Sequence, residues 1–232
     1  MRFRFLILAG ARAAFATSSR LAFAADPSPQ DIAQARELSV QAQAAHDAGN
    51  YAEAEKLWTA AQNLYPGAAT VTLGLARTQT KLGKLVLAQE SYNRIIREQT
   101  SNPSPLPAFK DALVSAQNEV GAVSARIANV VITIEGGAAN PTVTIDNQPI
   151  SAAGLGLKRP IDPGAHVVKA ETPGYKPTKA SFQVSETGLA EAKLKLEKSP
   201  DAVAGDAPAG DNQNPTVIDS KKNGGKTLAY VA

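Results

Sequence analysis

At 232 residues the chain is long enough for one large domain or two small ones. It has no cysteine, which excludes disulfides, thiolate metal sites, a cysteine nucleophile and a lipid-modified N-terminal cysteine; its two histidines, His46 and His166, are too few and too far apart for a histidine-rich zinc site. The formal charge of +3 comes from one end: Arg2, Arg4, Arg12 and Arg20 precede residue 25 with no acid among them, and without them 20 basic side chains face 21 acidic ones. No nucleic-acid-binding surface is therefore expected.

Met1-Arg2-Phe3-Arg4 is a charged start, Phe5-Leu6-Ile7-Leu8-Ala9 begins an apolar core, and Ala22-Phe23-Ala24 offers a small-x-small cleavage site. Residues 1–24 are thus expected to be a signal peptide, with an exported protein following. Arg12 and Arg20 interrupt the apolar run, which leaves an amphipathic arm or a start codon assigned too far upstream as alternatives.

Ser28-Pro29-Gln30-Asp31 opens a helix, with serine as cap, proline at the first helical position and an acid three residues after the cap. Gly49 ends that helix, and Asn50 with Glu53 suggests a capping box for the next. Tyr51, Ala54, Leu57, Trp58, Ala61, Leu64 and Tyr65 then step by three and four, as on a buried helix face, until Pro66-Gly67. A shift of 34 residues lays Ala42, Gly49, Ala54, Trp58 and Ala61 on Ala76, Gly83, Ala88, Tyr92 and Ile95. Thr70–Leu75 alternates like a strand, but the repeat places it in a helix. After the proline-rich break at 102–107, Phe109, Ala112, Leu113, Ala116, Val120, Val123 and Ile127 mark one long amphipathic helix, able to cover the apolar end of a helical stack.

Beyond Arg126 the period becomes two. Strands are expected at Val130–Ile134, Thr142–Ile145, His166–Ala170, Ala180–Val184 and Ala192–Leu196, separated by Gly136-Gly137, Asp146-Asn147, Asp162-Pro163-Gly164 and Thr172-Pro173-Gly174. A small β-sandwich accounts for them. Residues 198–226 have almost nothing to bury and read as a disordered linker. Lys221-Lys222-Asn223-Gly224-Gly225-Lys226 then leads into Thr227–Ala232, which reads as the possible start of a truncated transmembrane helix.

The expected fold class is α+β in two domains: a helix–turn–helix solenoid over 28–126, then an all-β sandwich over 127–197. Through Ala42, Gly49, Ala54, Trp58, Ala61 and Pro66 the helical half resembles tetratricopeptide repeats, with two units. Through Val143–Asn147, Ile161–Val168 and Pro173-Gly174-Tyr175 the second half resembles the PEGA-type sandwich, although Ala138-Ala139-Asn140-Pro141 stands where the naming motif would be. The combination resembles envelope proteins of deltaproteobacteria such as myxobacteria.

That resemblance implies a non-catalytic cell-envelope scaffold or adaptor, in the periplasm or anchored to a membrane, whose repeats bind an envelope protein or peptide. It places Ser39, Gln43, His46, Leu73, Arg77 and Thr80 on the face that lines a concave peptide groove; the alternative is an ordinary solvated helix face. Trp58 is expected in the core, His166 on the strand surface, and Lys176, Lys179, Lys193 and Lys195 as protection for strand edges. No nucleophile–base–orienter set, cofactor motif or metal-ligand spacing is visible, so no catalytic, cofactor or metal site is expected. The alternative function is carbohydrate or peptidoglycan binding through the sandwich, for which only Tyr175 and Phe182 supply aromatic rings.

Overall fold

The structure, a computed structural model, describes residues 26–200, 218–222 and 225–229. The expected signal peptide and most of the expected linker lie outside the described residues. The fold is α+β: five helices, α1 (Pro29–Asp47), α2 (Tyr51–Leu64), α3 (Ala69–Lys81), α4 (Leu85–Thr100) and α5 (Pro107–Ser124), precede a strand-rich region with two facing sheets.

The start of α1 is held by a complete capping box. Ser28 Oγ accepts from Asp31 N at 3.1 Å, and Ser28 N donates to the Asp31 carboxylate at 3.0 Å. The Ser28 hydroxyl also donates to Asp31 Oδ2 at 2.6 Å, and this bond first, with the one from Ser28 N second, holds the Asp31 carboxyl below its ordinary range. The repeat reappears in the way helices end. Gly49 N donates to His46 O and Asn50 N to Ala45 O; one repeat later Gly83 N donates to Thr80 O and Lys84 N to Gln79 O. This paired pattern closes a helix through a left-handed residue, and Gly49 and Gly83 have φ of +79° and +75°. The Asn50 side chain makes no capping bond. Its backbone N–H is already given to Ala45 O, so the expected return bond from Glu53 has no donor; Glu53 pairs with Lys56 instead.

Helix α3 lies between two apolar clusters. Val71 and Leu75 face Ala54, Trp58 and Ala61 of the first unit, whereas Ala69, Leu73 and Ala76 face Leu85, Tyr92, Ile95 and Ala116 of the second. Apolar demand on both sides makes the segment hydrophobic almost all round, which is why it alternates like a strand while being a helix. Trp58 is 6% exposed, as expected of a core residue. Its ring lies directly against Gly74 of α3, where a Cβ would fall 2.5 Å from Cε2 and 2.7 Å from Cη2. Helix α5 covers the far end with Ala112, Ala116 and Val123.

The β half comprises β1 (Ala128–Glu135), β2 (Thr142–Ile145), β3 (Gln148–Ile150), β4 (Arg159–Ile161), β5 (Gly164–Glu171), β6 (Thr178–Val184) and β7 (Leu189–Lys195). One sheet has the order β4-β1-β7, with β1 and β7 parallel; the other has the order β3-β2-β5-β6 and is antiparallel. Both inner faces meet in one cluster around Val130, Ile132, Val143, Val168, Phe182 and Leu194. The strands β3 and β4 were not expected from sequence. Each is three residues long and contains a proline, Pro149 or Pro160, and each is a sheet edge, where the missing N–H is tolerated.

Past the sandwich, β8 (Ile218–Lys222) and β9 (Gly225–Ala229) pair antiparallel, with Lys222 opposite Gly225. The end of the expected linker and the start of the expected membrane helix fall in this strand pair. The Asn223-Gly224 dipeptide between the two strands is a hairpin signal that the composition of this stretch obscures. No helix among the described residues is long and apolar enough to cross a membrane.

The halves are joined without slack, since α5 ends at Ser124 and β1 begins at Ala128. Ile127, at the expected domain boundary and on the apolar stripe expected of the long helix, packs into the second helical cluster. Asp162, in the turn before β5, reaches across so that its Oδ1 accepts from Val86 N at 2.8 Å. Helix α4 has no side-chain cap of its own at Lys84, so the β half supplies one. Arg126 and Glu186 add an exposed ion pair at 2.7 Å, and Thr187 N donates to Arg126 O.

Candidate functional site

The residues expected to line the concave groove stand on α1 and α3, but most of their polar capacity is spent inside the protein. Ser39 Oγ donates to Ala35 O at 2.6 Å and Thr80 Oγ1 to Ala76 O at 2.8 Å, each within its own helix. Gln43 Nε2 donates to Asp47 Oδ1 at 2.8 Å. His46 Nδ1 lies 2.9 Å from Thr78 Oγ1, and its ring meets Tyr51 edge-on at 5.1 Å. Leu73 is buried in the second cluster.

Arg77 forms a two-pronged pair with Glu119 of α5, its Nε lying 3.0 Å from Oε2, and the buried Tyr92 hydroxyl donates to the same carboxylate at 2.8 Å. The Arg77 hydrogen bond is the main reason the Glu119 carboxyl is held below its ordinary range. Burial, with the Glu119 carboxylate second, pushes the Tyr92 phenol up. Gln43 and Arg77 are the exposed residues of this set, each with part of its polar capacity spent inside the protein, while Ser39, His46 and Thr80 are half-buried.

An open cleft of about 510 Å³ lies elsewhere on the helical half, walled by α2 and α4 and floored by α3. Leu75 and Gln79 belong to its floor, Gln62 to the α2 wall, and Leu87, Glu90, Asn93, Arg94 and Arg97 to the α4 wall. Leu87, Glu90, Arg94 and Arg97 step by three, four and three and so share one stripe, with Asn93 beside it. Sequence reading missed this site because that stripe looks like a solvated helix face. Leu87, 44% exposed and off the core stripe of Leu85, Ala88, Tyr92 and Ile95, was the available signal.

The sandwich offers less. Phe182 is in the core and Tyr175 packs half-buried against it, so neither ring forms an exposed platform. His166 is not on the surface as expected; it is 9% exposed, because it shares the inward register of Val168 and Ala170. Its Nδ1 lies 2.6 Å from Asp146 Oδ2 and its Nε2 2.8 Å from Asp162 O, which fixes the turn that caps α4. Lys179 and Lys193 are exposed on β6 and β7, each a sheet edge. The chain matches no protein-family model and no curated protein.

Proposed function

We propose that this chain is a non-catalytic adaptor of the cell envelope that binds a protein partner through its helical half, with the sandwich as a rigidly joined spacer. The observation that carries this reading is the open α2–α4 cleft, which brings together two carboxamides, the Arg97 guanidinium and the exposed Leu87. In the β half Phe182 lies in the core and Tyr175 is half-buried against it, which favours the helical half over a glycan-stacking sandwich. The envelope location rests on the N-terminal sequence and on the resemblance to tetratricopeptide and PEGA-type proteins.

A photo-crosslinking amino acid at Gln43 and at Asn93 samples both helical faces in the native host, while Lys179 and Lys193 sample the sandwich. The expected result is one discrete adduct from a helical position and none from the sandwich. Adducts from Lys179 or Lys193 alone, or co-sedimentation of the purified protein with peptidoglycan, would overturn the adaptor reading.

A further inference from the structure

Two carboxamides in the α2–α4 cleft are held in fixed orientations. Gln62 Nε2 donates to Thr72 Oγ1 at 3.0 Å, and the Thr72 hydroxyl donates onward to Ala68 O at 3.3 Å, so the threonine oxygen can only accept from Gln62. Gln62 Oε1 is left as an acceptor with no donor among the described residues. Ser91 Oγ donates to Gln79 Oε1 at 2.9 Å, which leaves Gln79 Nε2 as a donor without an acceptor among the described residues. Gln79 is only 7% exposed, yet its Nε2 is not a buried unpartnered atom, so this N–H opens to solvent in the cleft, where a ligand carbonyl can reach it. One free acceptor and one free donor are the complement of a peptide group.

The α4 wall supplies charge. Arg94 is anchored, with Nε donating to Glu98 at 2.7 Å and Nη2 to Pro66 O at 2.9 Å. Arg97, one turn on, has no ion partner among the described residues, and Glu90 is the one acid lining the cleft. With Arg94 paired to Glu98, Arg97 is the guanidinium of this wall left to meet a ligand carboxylate. Leu75 and Leu87 can take an apolar side chain.

We propose that the α2–α4 cleft binds an extended acidic peptide segment, its main chain held by Gln62 and Gln79 and its carboxylate by Arg97. A carboxylate on a guanidinium makes paired charge-assisted hydrogen bonds, whereas a neutral amide cannot. The proposal rests on the helical half being the binding half, and it names the chemistry of the partner.

The test is an NMR titration of the isotope-labelled full chain with two blocked tetrapeptides, acetyl-Leu-Glu-Ala-Glu-amide and its Gln-containing isostere. Expected are saturable shifts at the side-chain amides of Gln62, Gln79 and Asn93. The acidic peptide should bind about tenfold more tightly than the isostere, and the preference should fade between about 50 mM and 500 mM salt. Arg97→Gln should erase the preference while leaving the isostere's affinity unchanged. Gln79→Met should weaken both peptides alike; should that variant fail to fold, Gln62→Met replaces it.

Equal affinity for the two peptides, shifts confined to Ser39 and Gln43, no binding at all, or an Arg97→Gln variant that keeps the preference would each overturn the assignment. A crosslinked adduct at Gln43 together with a silent titration removes the acidic cleft but leaves the adaptor reading standing. Saturable cleft binding without any helical adduct does the reverse.

Discussion

Gly74→Ala is the sharpest probe of how the repeat is packed. Alanine in a helix interior is about 1 kcal/mol better than glycine on propensity alone, so the substitution should stabilise α3 if nothing lies over it. Here the new Cβ would sit 2.5 Å from Trp58 Cε2 and 2.7 Å from Cη2, more than about 1 Å inside ordinary carbon contact. The ring is enclosed by Ala54, Ala61, Val71 and Leu75 and cannot retreat without moving a helix. Overpacking of that kind costs about 3 kcal/mol, at the upper end of the usual range, and outweighs the propensity gain to leave a net loss of about 2 kcal/mol. For a chain of this size that is a fall in melting temperature of about 4–8 °C. The control is Trp58→Leu, which removes the ring; in that background Gly74→Ala should become stabilising by up to about 1 kcal/mol. Urea unfolding followed by circular dichroism measures all four proteins, and the coupling energy should be about 3 kcal/mol. A neutral or stabilising Gly74→Ala in the parent, or the same effect in both backgrounds, would refute the Trp58–Gly74 contact.

Gly49→Ala and Gly83→Ala should each cost about 1–2 kcal/mol and agree with one another, because no atom lies within 4 Å of either added Cβ and only the left-handed backbone matters; unequal losses in urea unfolding would show that the two turns are not equivalent. Asp162→Ala should cost about 1 kcal/mol by uncapping α4 from the β half, whereas Glu186→Gln, which breaks only an exposed ion pair, should cost less than about 0.5 kcal/mol; the reverse ranking in thermal unfolding would mean that the ion pair holds the halves together. The Glu119 carboxyl is depressed in the folded state, so its contribution is present above the unfolded value of about 4.5 and is lost as pH falls below it. Stability measured from about pH 6 down to pH 3 should therefore fall less steeply in Glu119→Gln than in the parent, and identical profiles would refute the Arg77–Glu119–Tyr92 arrangement.

The fold was largely legible because the signals that set it are local and repeated. Gly49 and Gly83, Ala54 and Ala88, and Trp58 and Tyr92 mark equivalent points of two units, and their spacing overrode the strand-like look of Thr70–Leu75. The strands β3 and β4 escaped because a proline and three residues do not read as a strand until the edge position is known. His166 was misplaced because its chemistry suggested a surface, although its register with Val168 and Ala170 already pointed inward. The candidate site was far less legible. Which of Gln43, Arg77, Gln62 and Gln79 keeps a free polar atom depends on partners up to 42 residues away, such as Glu119 for Arg77, and pattern alone cannot supply those pairings. The cap that Asp162 gives to α4 spans 76 residues and was invisible for the same reason.

The most direct test of the adaptor reading uses the protein partner identified by crosslinking and compares its affinity for the full chain with that for a fragment spanning residues 26–127, which keeps Ile127 in the helical core. Circular dichroism first verifies that the fragment unfolds cooperatively. Titration calorimetry should then give dissociation constants that agree within about threefold, a difference of less than about 1 kcal/mol. A folded helical fragment that binds more than about a hundredfold more weakly than the full chain would place the recognition surface in the β half and contradict the adaptor reading.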